Sequence, residues 1–390
     1  MEFGTFRSQT RIVHGVGSSC RTGTEALELG MKKILILTDP IIRKVGCTKE
    51  IEVGLKDEGI PYIIYDHVSV DPGIEEVEHV VTLVQGEGID GIIAVGGGSV
   101  ICCAKAVALL LTNPGDLREF EGRFKADVPL FPLICVPTTA GSGSEVSPNF
   151  LISDKEKNWK MTFFGDYYAK LAILDPLLLK SLPSGPAINA SLDALTHAIE
   201  AYLSNQSSLF SDALALQAAS LIYKNIVESS LTDDIDAKHT VLIASTMANI
   251  ACGNAGLTLV HAVTYGLPEL EHGFACGVML PYVMEFNRTA CIERMADLAI
   301  AFGCEPYGKS KDELSIECIE KIKELYQKLS FVDQLPDKVD RNNISEIIEG
   351  TLNAPMIHFN IRQPSKSDIK LMIESAFDGW RGNEVEESVL

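Results

Sequence analysis

The apolar positions change their period partway along the chain. In the first part they come as short unbroken runs at residues 33–37, 61–65, 91–95, 133–136 and 171–174. Runs of this length, without polar alternation, read as strands buried on both faces, and helical stretches at 48–58 and 74–86 lie between them. Strand, helix, strand at that spacing predicts a mostly parallel sheet with helices on both faces. Residues 149–166 read as a hairpin, with turn formers between apolar flanks. Past Leu182-Pro183-Ser184-Gly185-Pro186 the period lengthens to that of helices, over 187–204, 208–229, 237–252, 258–267, 278–302 and 311–329. The pattern predicts two domains, α/β over 1–183 and all-α over 184–390.

Composition supports that size. The chain has 390 residues, 46% of them apolar, enough for two cores. A net charge of −20 argues against nucleic acid or an anionic membrane as the main partner. The longest apolar window, 92–112, is broken by three glycines and Lys105, so no membrane span is expected. The N-terminus has no charged segment followed by an apolar one, and the ten cysteines form no C-x-x-C framework. Both features predict a cytoplasmic protein with reduced thiols.

Four stretches carry candidate chemistry. Gly96-Gly97-Gly98-Ser99 follows a predicted strand and opens a predicted helix. Glycines there let a backbone approach a pyrophosphate, and free N–H groups at a helix start attract its charge; a plain turn has the same pattern. Pro137-Thr138-Thr139-Ala140-Gly141-Ser142-Gly143-Ser144 follows another strand and reads as a helix start, either a simple cap or a set of hydroxyls for phosphate or nicotinamide. Asp39 ends an earlier strand, where a carboxylate either binds an adenosine ribose and repels a 2′-phosphate or forms the turn before Pro40. In the helical part, Asp193 and His197 stand at i, i+4 and share one helix face, with His261 and His272 available from elsewhere. One carboxylate and three imidazoles suit a first-row divalent ion, although the pair alone is also an ordinary helix-surface pair. Glu200 either orients one of these imidazoles or is a solvated helix carboxylate.

Together and in this order, the motifs resemble the iron-dependent, group III alcohol dehydrogenases. The resemblance rests on Gly96-Gly-Gly-Ser99 with Ala104-Lys105, on the run from Pro137 to Val146, and on Asp193-Ala-Leu-Thr-His197-Ala-Ile-Glu200. It continues through Asn254-Ala-Gly-Leu257 leading to His261, His272-Gly273, Leu280-Pro281, Val283-Met284 and Phe286-Asn287. It implies an N-terminal dinucleotide-binding domain, a helical metal-binding domain, a cleft between them, and a homodimer. It further implies that Asp193, His197, His261 and His272 ligate iron(II), with zinc or another first-row ion as substitute. The implied NAD(H) contacts are Asp39, Gly97, Gly98, Ser99, Thr138, Thr139, Ser142, Asn149 and Lys160. The implied reaction transfers hydride between nicotinamide and a small primary alcohol or aldehyde, the metal polarising the substrate oxygen.

Three departures from the family pattern stand out. Cys102 replaces an aspartate in the phosphate-loop helix, and Ala190-Ser191 replaces Thr-Gly before the first ligand. Tyr265 stands where many members have a histidine near the nicotinamide, and the interval from His261 to His272 is shorter. These changes predict a reshaped substrate pocket with Tyr265 as a hydrogen-bond donor. His358 is a further candidate for the cleft, against the plainer reading of an isolated structural histidine. Competing readings are a non-catalytic NAD- and metal-binding sensor and a metal-independent reductase; retention of all four ligand residues argues against the second.

Overall fold

The computed structural model describes residues 4–157 and 159–380, and in it the unbroken apolar runs become neighbouring strands of one parallel sheet. Among the described residues the strands are β1 (Arg11–His14), β2 (Ile34–Thr38), β3 (Tyr62–Tyr65), β4 (Gly91–Gly96), β5 (Gly122–Arg123), β6 (Leu133–Pro137), β7 (Asn149–Asp154), β8 (Trp159–Phe164) and β9 (Leu171–Leu174). Interleaved with them are α1 (Thr22–Glu28), α2 (Pro40–Val45), α3 (Lys49–Asp57), α4 (Ile74–Val84) and α5 (Gly98–Thr112). The sheet order is β1-β9-β6-β4-β2-β3.

Alternate side chains divide between two cores. Leu35, Leu37, Ile92, Ala94, Leu133 and Cys135 pack with Val77, Val80 and Ile101 of α4 and α5. Ile34, Ile36, Ile93, Val95, Ile134 and Val136 pack with Ala26, Ile51 and Leu55 of α1 and α3. Burial on both faces is why these strands read as unbroken apolar runs. The chain leaves β2 for β3 on one side and returns to place β4 on the other, so the order reverses between β2 and β4. At such a point the outward-turning connections leave a crevice at the strands' carboxyl ends.

The expected hairpin forms from β7 and β8, antiparallel, with Ser153 opposite Lys160 and β5 pairing beside β8. Sequence reading passes over β1, a four-residue edge strand too short for a clear period. The expected helix after Pro137 does not form. Residues 138–148 are a loop with a turn at 144–146, and Gly143 at φ +55° reverses the chain toward β7.

These strands and helices belong to a unit spanning Ser8–Leu182; a second unit begins at Pro183 and also takes in residues 4–7. Those few residues join it because Arg7 exchanges backbone bonds with the Asn254 side chain, N to Oδ1 at 2.6 Å and Nδ2 to O at 2.9 Å. Its helices are α6 (Ser184–Leu203), α7 (Leu209–Leu231), α8 (Ile235–Ala255), α9 (Leu259–Thr264), α10 (His272–Asn287), α11 (Ile292–Ala301), α12 (Lys311–Leu329), α13 (Ile344–Asn353) and α14 (Lys366–Asp378). From Ser191 to Leu203, α6 is buried on every face, with α7, α8 and α10 packed around it. Such enclosure is possible only because its polar side chains find partners inside.

The single helical run expected over 278–302 is in fact two helices. The break falls at Arg288–Ala290, where a buried amide pair between Asn287 and Asn360 (3.0 and 2.8 Å) and an Arg288–Asp312 bond (2.6 Å) hold the turn. Apolar periodicity carries no signal of such distant partners. Among the described residues no helix is long and apolar enough to cross a membrane.

Candidate functional site

In the α/β unit, two loops meet at the carboxyl ends of adjacent strands. Gly96 pairs with Pro137 across β4 and β6, and the Thr138 N–H donates to the Gly96 carbonyl at 3.1 Å. Gly97 is the N-cap of α5 in extended conformation, leaving the first N–H groups of a fifteen-residue helix available. A Cβ on Gly98 would lie 2.9 Å from Ser142 Oγ, and one on Gly97 would touch Thr139 at 3.5 Å. The glycines therefore allow the two loops to pack. Thr138 Oγ1 is buried without a hydrogen-bond partner among the described residues. A buried hydroxyl in that state beside a helix N-terminus fits an anionic or amide-bearing ligand. Lys105, fully buried on α5, anchors the second loop by donating to Ser147 O (2.5 Å) and Asn149 O (3.3 Å).

Asp39 lies at the end of β2, across the β2/β4 reversal from Gly97. Its Oδ1 caps α2, accepting from Ile41 N (2.8 Å) and Ile42 N (2.9 Å). The turn-forming role is thus present, and a single oxygen serves it. The Ser99 hydroxyl donates to the Val70 carbonyl, and Lys160 pairs with the next residue, Asp71, which also accepts from Ser153 at 2.7 Å. Lys160 is therefore linked to the 96–99 loop through residues 70–71, which sequence reasoning passes over. The backbone of Asn149 is held by Ser147 and Lys105 where the loop enters β7.

In the helical unit, three imidazole nitrogens surround one carboxylate oxygen. Asp193 Oδ1 lies 3.7 Å from His197 Nε2, 3.5 Å from His261 Nε2 and 3.6 Å from His272 Nε2. These separations are too long for hydrogen bonds, and Asp193 Oδ1 is buried with no such partner. Ligands about 2.1 Å from a shared ion in tetrahedral arrangement lie roughly 3.4 Å from each other. Each ring nitrogen is at ligand spacing from Asp193 Oδ1, and of the three rings His261 and His272 form, with Asp193 and Cys276, a group whose donor atoms all lie within 4.8 Å of one another. Asp193, His197 and His261 keep side-chain exposures of 7%, 6% and 3%, whereas His272 is 56% exposed and marks the open side within this unit.

The neighbours orient the rings. Glu200 Oε2 meets His261 Nδ1 at 2.6 Å, leaving Nε2 directed at Asp193. The same carboxylate accepts from Thr258 N, Thr258 Oγ1 and Val260 N at 3.1, 2.8 and 2.6 Å, closing the start of α9. Of the two readings of Glu200, the structure selects the buried, ring-orienting one. The Asn249 side-chain amide lies 3.2 Å from His197 Nδ1. Burial pushes His197 down to about 4. Burial works to raise Asp193, but His197, His272 and His261 outweigh it and hold the carboxyl well below its usual range. Cys276 and Asp193 draw His272 up to about 9, against the partial desolvation of its ring.

Gly273 explains how α10 reaches the cluster. A Cβ there would lie 2.4 Å from the Asn189 carbonyl of α6, so only glycine lets the two helices approach this closely. Glu271 caps α10 through Gly273 N (3.2 Å) and Phe274 N (3.0 Å) and accepts from Asn189 Nδ2 at 2.6 Å. Cys276, one turn beyond His272, also faces the imidazoles; the sequence reading treats the ten cysteines together and passes over it. The i, i+4 spacing of His272 and Cys276 is the signal that identifies it. Tyr265 is half-buried at the end of α9 against the helical core. His358 lies on the surface in a 3-10 turn, its backbone carbonyl accepting from Asn205 Nδ2 at 3.0 Å, while Phe359 beside it packs on Gly256.

Comparison with known proteins bears on both regions. The model of a family described as iron-containing alcohol dehydrogenase matches residues 9–176, and its Fe-containing C-terminal counterpart matches 187–377. The chain is similar to the NAD-dependent methanol dehydrogenase of Bacillus methanolicus, 33% identical over 75% of this chain and 78% of that one. It is 30% identical to the lactaldehyde reductase of Escherichia coli K12 over 90% of this chain and 94% of that one. A crystal structure of 1,3-propanediol oxidoreductase superposes with a TM-score of 0.94 at 30% identity, covering 96% of this chain and 100% of that chain.

Proposed function

The chain belongs to the iron-containing alcohol dehydrogenase family, and from that premise we propose that it is a metal-dependent, NAD(H)-linked enzyme interconverting a small primary alcohol and its aldehyde. The observation that carries this reading is Asp193 Oδ1, buried without a hydrogen-bond partner at ligand spacing from three imidazole nitrogens. A divalent ion supplies Lewis acidity toward a substrate oxygen, and nicotinamide supplies or accepts the hydride.

Asp193, His197, His261 and His272 hold the ion. Glu200 and Asn249 fix two of the rings. The first N–H groups of α5 with Gly97, Gly98 and Ser99 receive the pyrophosphate, and Thr138, Thr139 and Ser142 bind beside it. Asp39 binds the adenosine ribose with its free carboxylate oxygen and sets a preference for NAD over NADP. Asn149 and Lys160 support the same site from the hairpin. Tyr265, one turn beyond His261, donates a hydrogen bond in the substrate pocket. Exposed His358 has the weaker claim to that pocket. The reading includes a cytoplasmic location and a homodimer, and sedimentation of the purified protein tests the second.

The test is NADH oxidation across short aldehydes bearing neutral, hydroxy, carboxylate, phosphonate and sulfonate groups, with chelator and with added iron(II). Turnover abolished by chelator and restored by iron(II) is expected. Turnover indifferent to metal sinks the metal-dependent reading, and NADH binding without turnover on any substrate favours a sensor.

A further inference from the structure

We propose that Cys276 is a further direct ligand, beside Asp193, His197, His261 and His272, of the ion at this centre, making it a mixed nitrogen, oxygen and sulfur site. The proposal rests on the metal-centre reading above. Cys276 is fully buried on α10, on the same helix face as His272. Its Sγ lies 3.7 Å from His261 Nε2 and 3.8 Å from His272 Nε2. With metal–nitrogen bonds of about 2.1 Å and metal–sulfur bonds of about 2.3 Å, neighbouring nitrogen and sulfur ligands at angles of about 90–120° stand roughly 3.1–3.8 Å apart. The sulfur therefore already occupies ligand spacing from two of the rings. The donor atoms of Asp193, His261, His272 and Cys276 all lie within 4.8 Å of one another. Independently, the buried Asp193 Oδ1 is without a hydrogen-bond partner in the same cluster.

Charge and softness follow from the donor set. Asp193 alone leaves one positive charge of a divalent ion uncompensated beside side chains 3–7% exposed, with His272, 56% exposed, on the open side. A Cys276 thiolate, its proton released to solvent on binding, removes that charge. Thiolate is also the softest donor available to a protein, so it shifts preference toward thiophilic ions such as zinc and cobalt and away from manganese. Glycines keep the sulfur in place. A Cβ on Gly277 would lie 2.8 Å from the Phe331 ring and 3.0 Å from the Leu192 side chain of α6, so α10 packs closely at the residue after the cysteine.

The experiment loads the metal-free full-length protein with cobalt(II) and records its near-ultraviolet spectrum, alongside Cys276→Ser and Cys276→Ala. The expected result is a thiolate-to-cobalt charge-transfer band in the parent that is absent from both variants. Zinc affinity should fall about tenfold or more in Cys276→Ala, with manganese affinity falling less. The serine variant, close in size, guards against misfolding, and circular dichroism checks that both retain their helices. Cobalt bound at one per chain without a sulfur band overturns the cysteine ligand and leaves the Asp–His centre standing. No cobalt binding overturns both.

Discussion

Glu200 does two things with one carboxylate: it sets the tilt of the His261 ring and satisfies the first backbone N–H groups of α9. Burial raises its carboxyl, yet His261 and Thr258 more than offset that and hold it low. Glu200→Gln should therefore weaken metal retention about 10- to 100-fold, because the ring loses its anionic partner and an amide N–H faces backbone donors. Metal content after dialysis reads this directly; an unchanged value removes Glu200 from the centre. Asp39 offers a cleaner separation of roles. Serine also caps helices, so Asp39→Ser preserves the start of α2 while deleting the charge. The ratio of kcat/KM for NADPH over NADH should rise at least about tenfold. No change assigns Asp39 to capping alone. At this scale the i, i+4 pair of Asp193 and His197 was readable from spacing. The bond from Glu200 to His261 was not, because its partner lies 61 residues away.

Between elements, close approach decides whether the donors meet. Gly273→Ala puts a methyl 2.4 Å from the Asn189 carbonyl, which must push α10 from α6 and carry His272 and Cys276 with it. Overpacking of this kind costs about 1–3 kcal/mol. The expected outcome is a folded helical protein with lowered melting temperature and lost metal; full metal content would show that α10 is positioned by other contacts. The hairpin of β7 and β8 depends on charge instead. Arg118 grips Asp154 at the end of β7 through Nε at 2.7 Å and Nη2 at 3.2 Å, holding the carboxyl below its ordinary value. A depressed carboxyl contributes stability above its unfolded value of about 3.9 and loses it as pH falls through the folded one. Arg118→Ala should thus shift acid unfolding of the Ser8–Leu182 unit to higher pH, and equal acid midpoints would count against the pair. The hairpin itself was visible as turn formers between apolar flanks. The split between α10 and α11 was not, since both sides keep helical periodicity and the break is held by Asn360 and Asp312.

For the whole molecule, the two candidate sites draw on different units, nucleotide contacts in Ser8–Leu182 and ion ligands after Pro183. A ligand stabilises the folded state it binds by about 2.7 kcal/mol at a hundred times its dissociation constant. Hydrogen exchange should resolve where that stability appears. Zinc or iron(II) should slow exchange in α6, α9 and α10, and NADH should slow it in residues 96–99 and 138–144. Metal protection missing from α9 would contradict a centre that includes His261.

Periodicity determined the class of each unit because local burial writes itself into the chain as a repeat of 2 or 3.6, or as an unbroken apolar run. The order of the motifs was likewise enough to place the chain beside its family. The tertiary structure decided what depends on distance across the fold. It brought the 96–99 loop against 138–144, turned Glu200 inward, committed one oxygen of Asp39 to a cap, and set Cys276 beside two imidazoles. Those contacts join residues far apart in sequence, and linear spacing holds no measure of how closely helices such as α6 and α10 approach until a glycine's missing methyl is seen against a carbonyl.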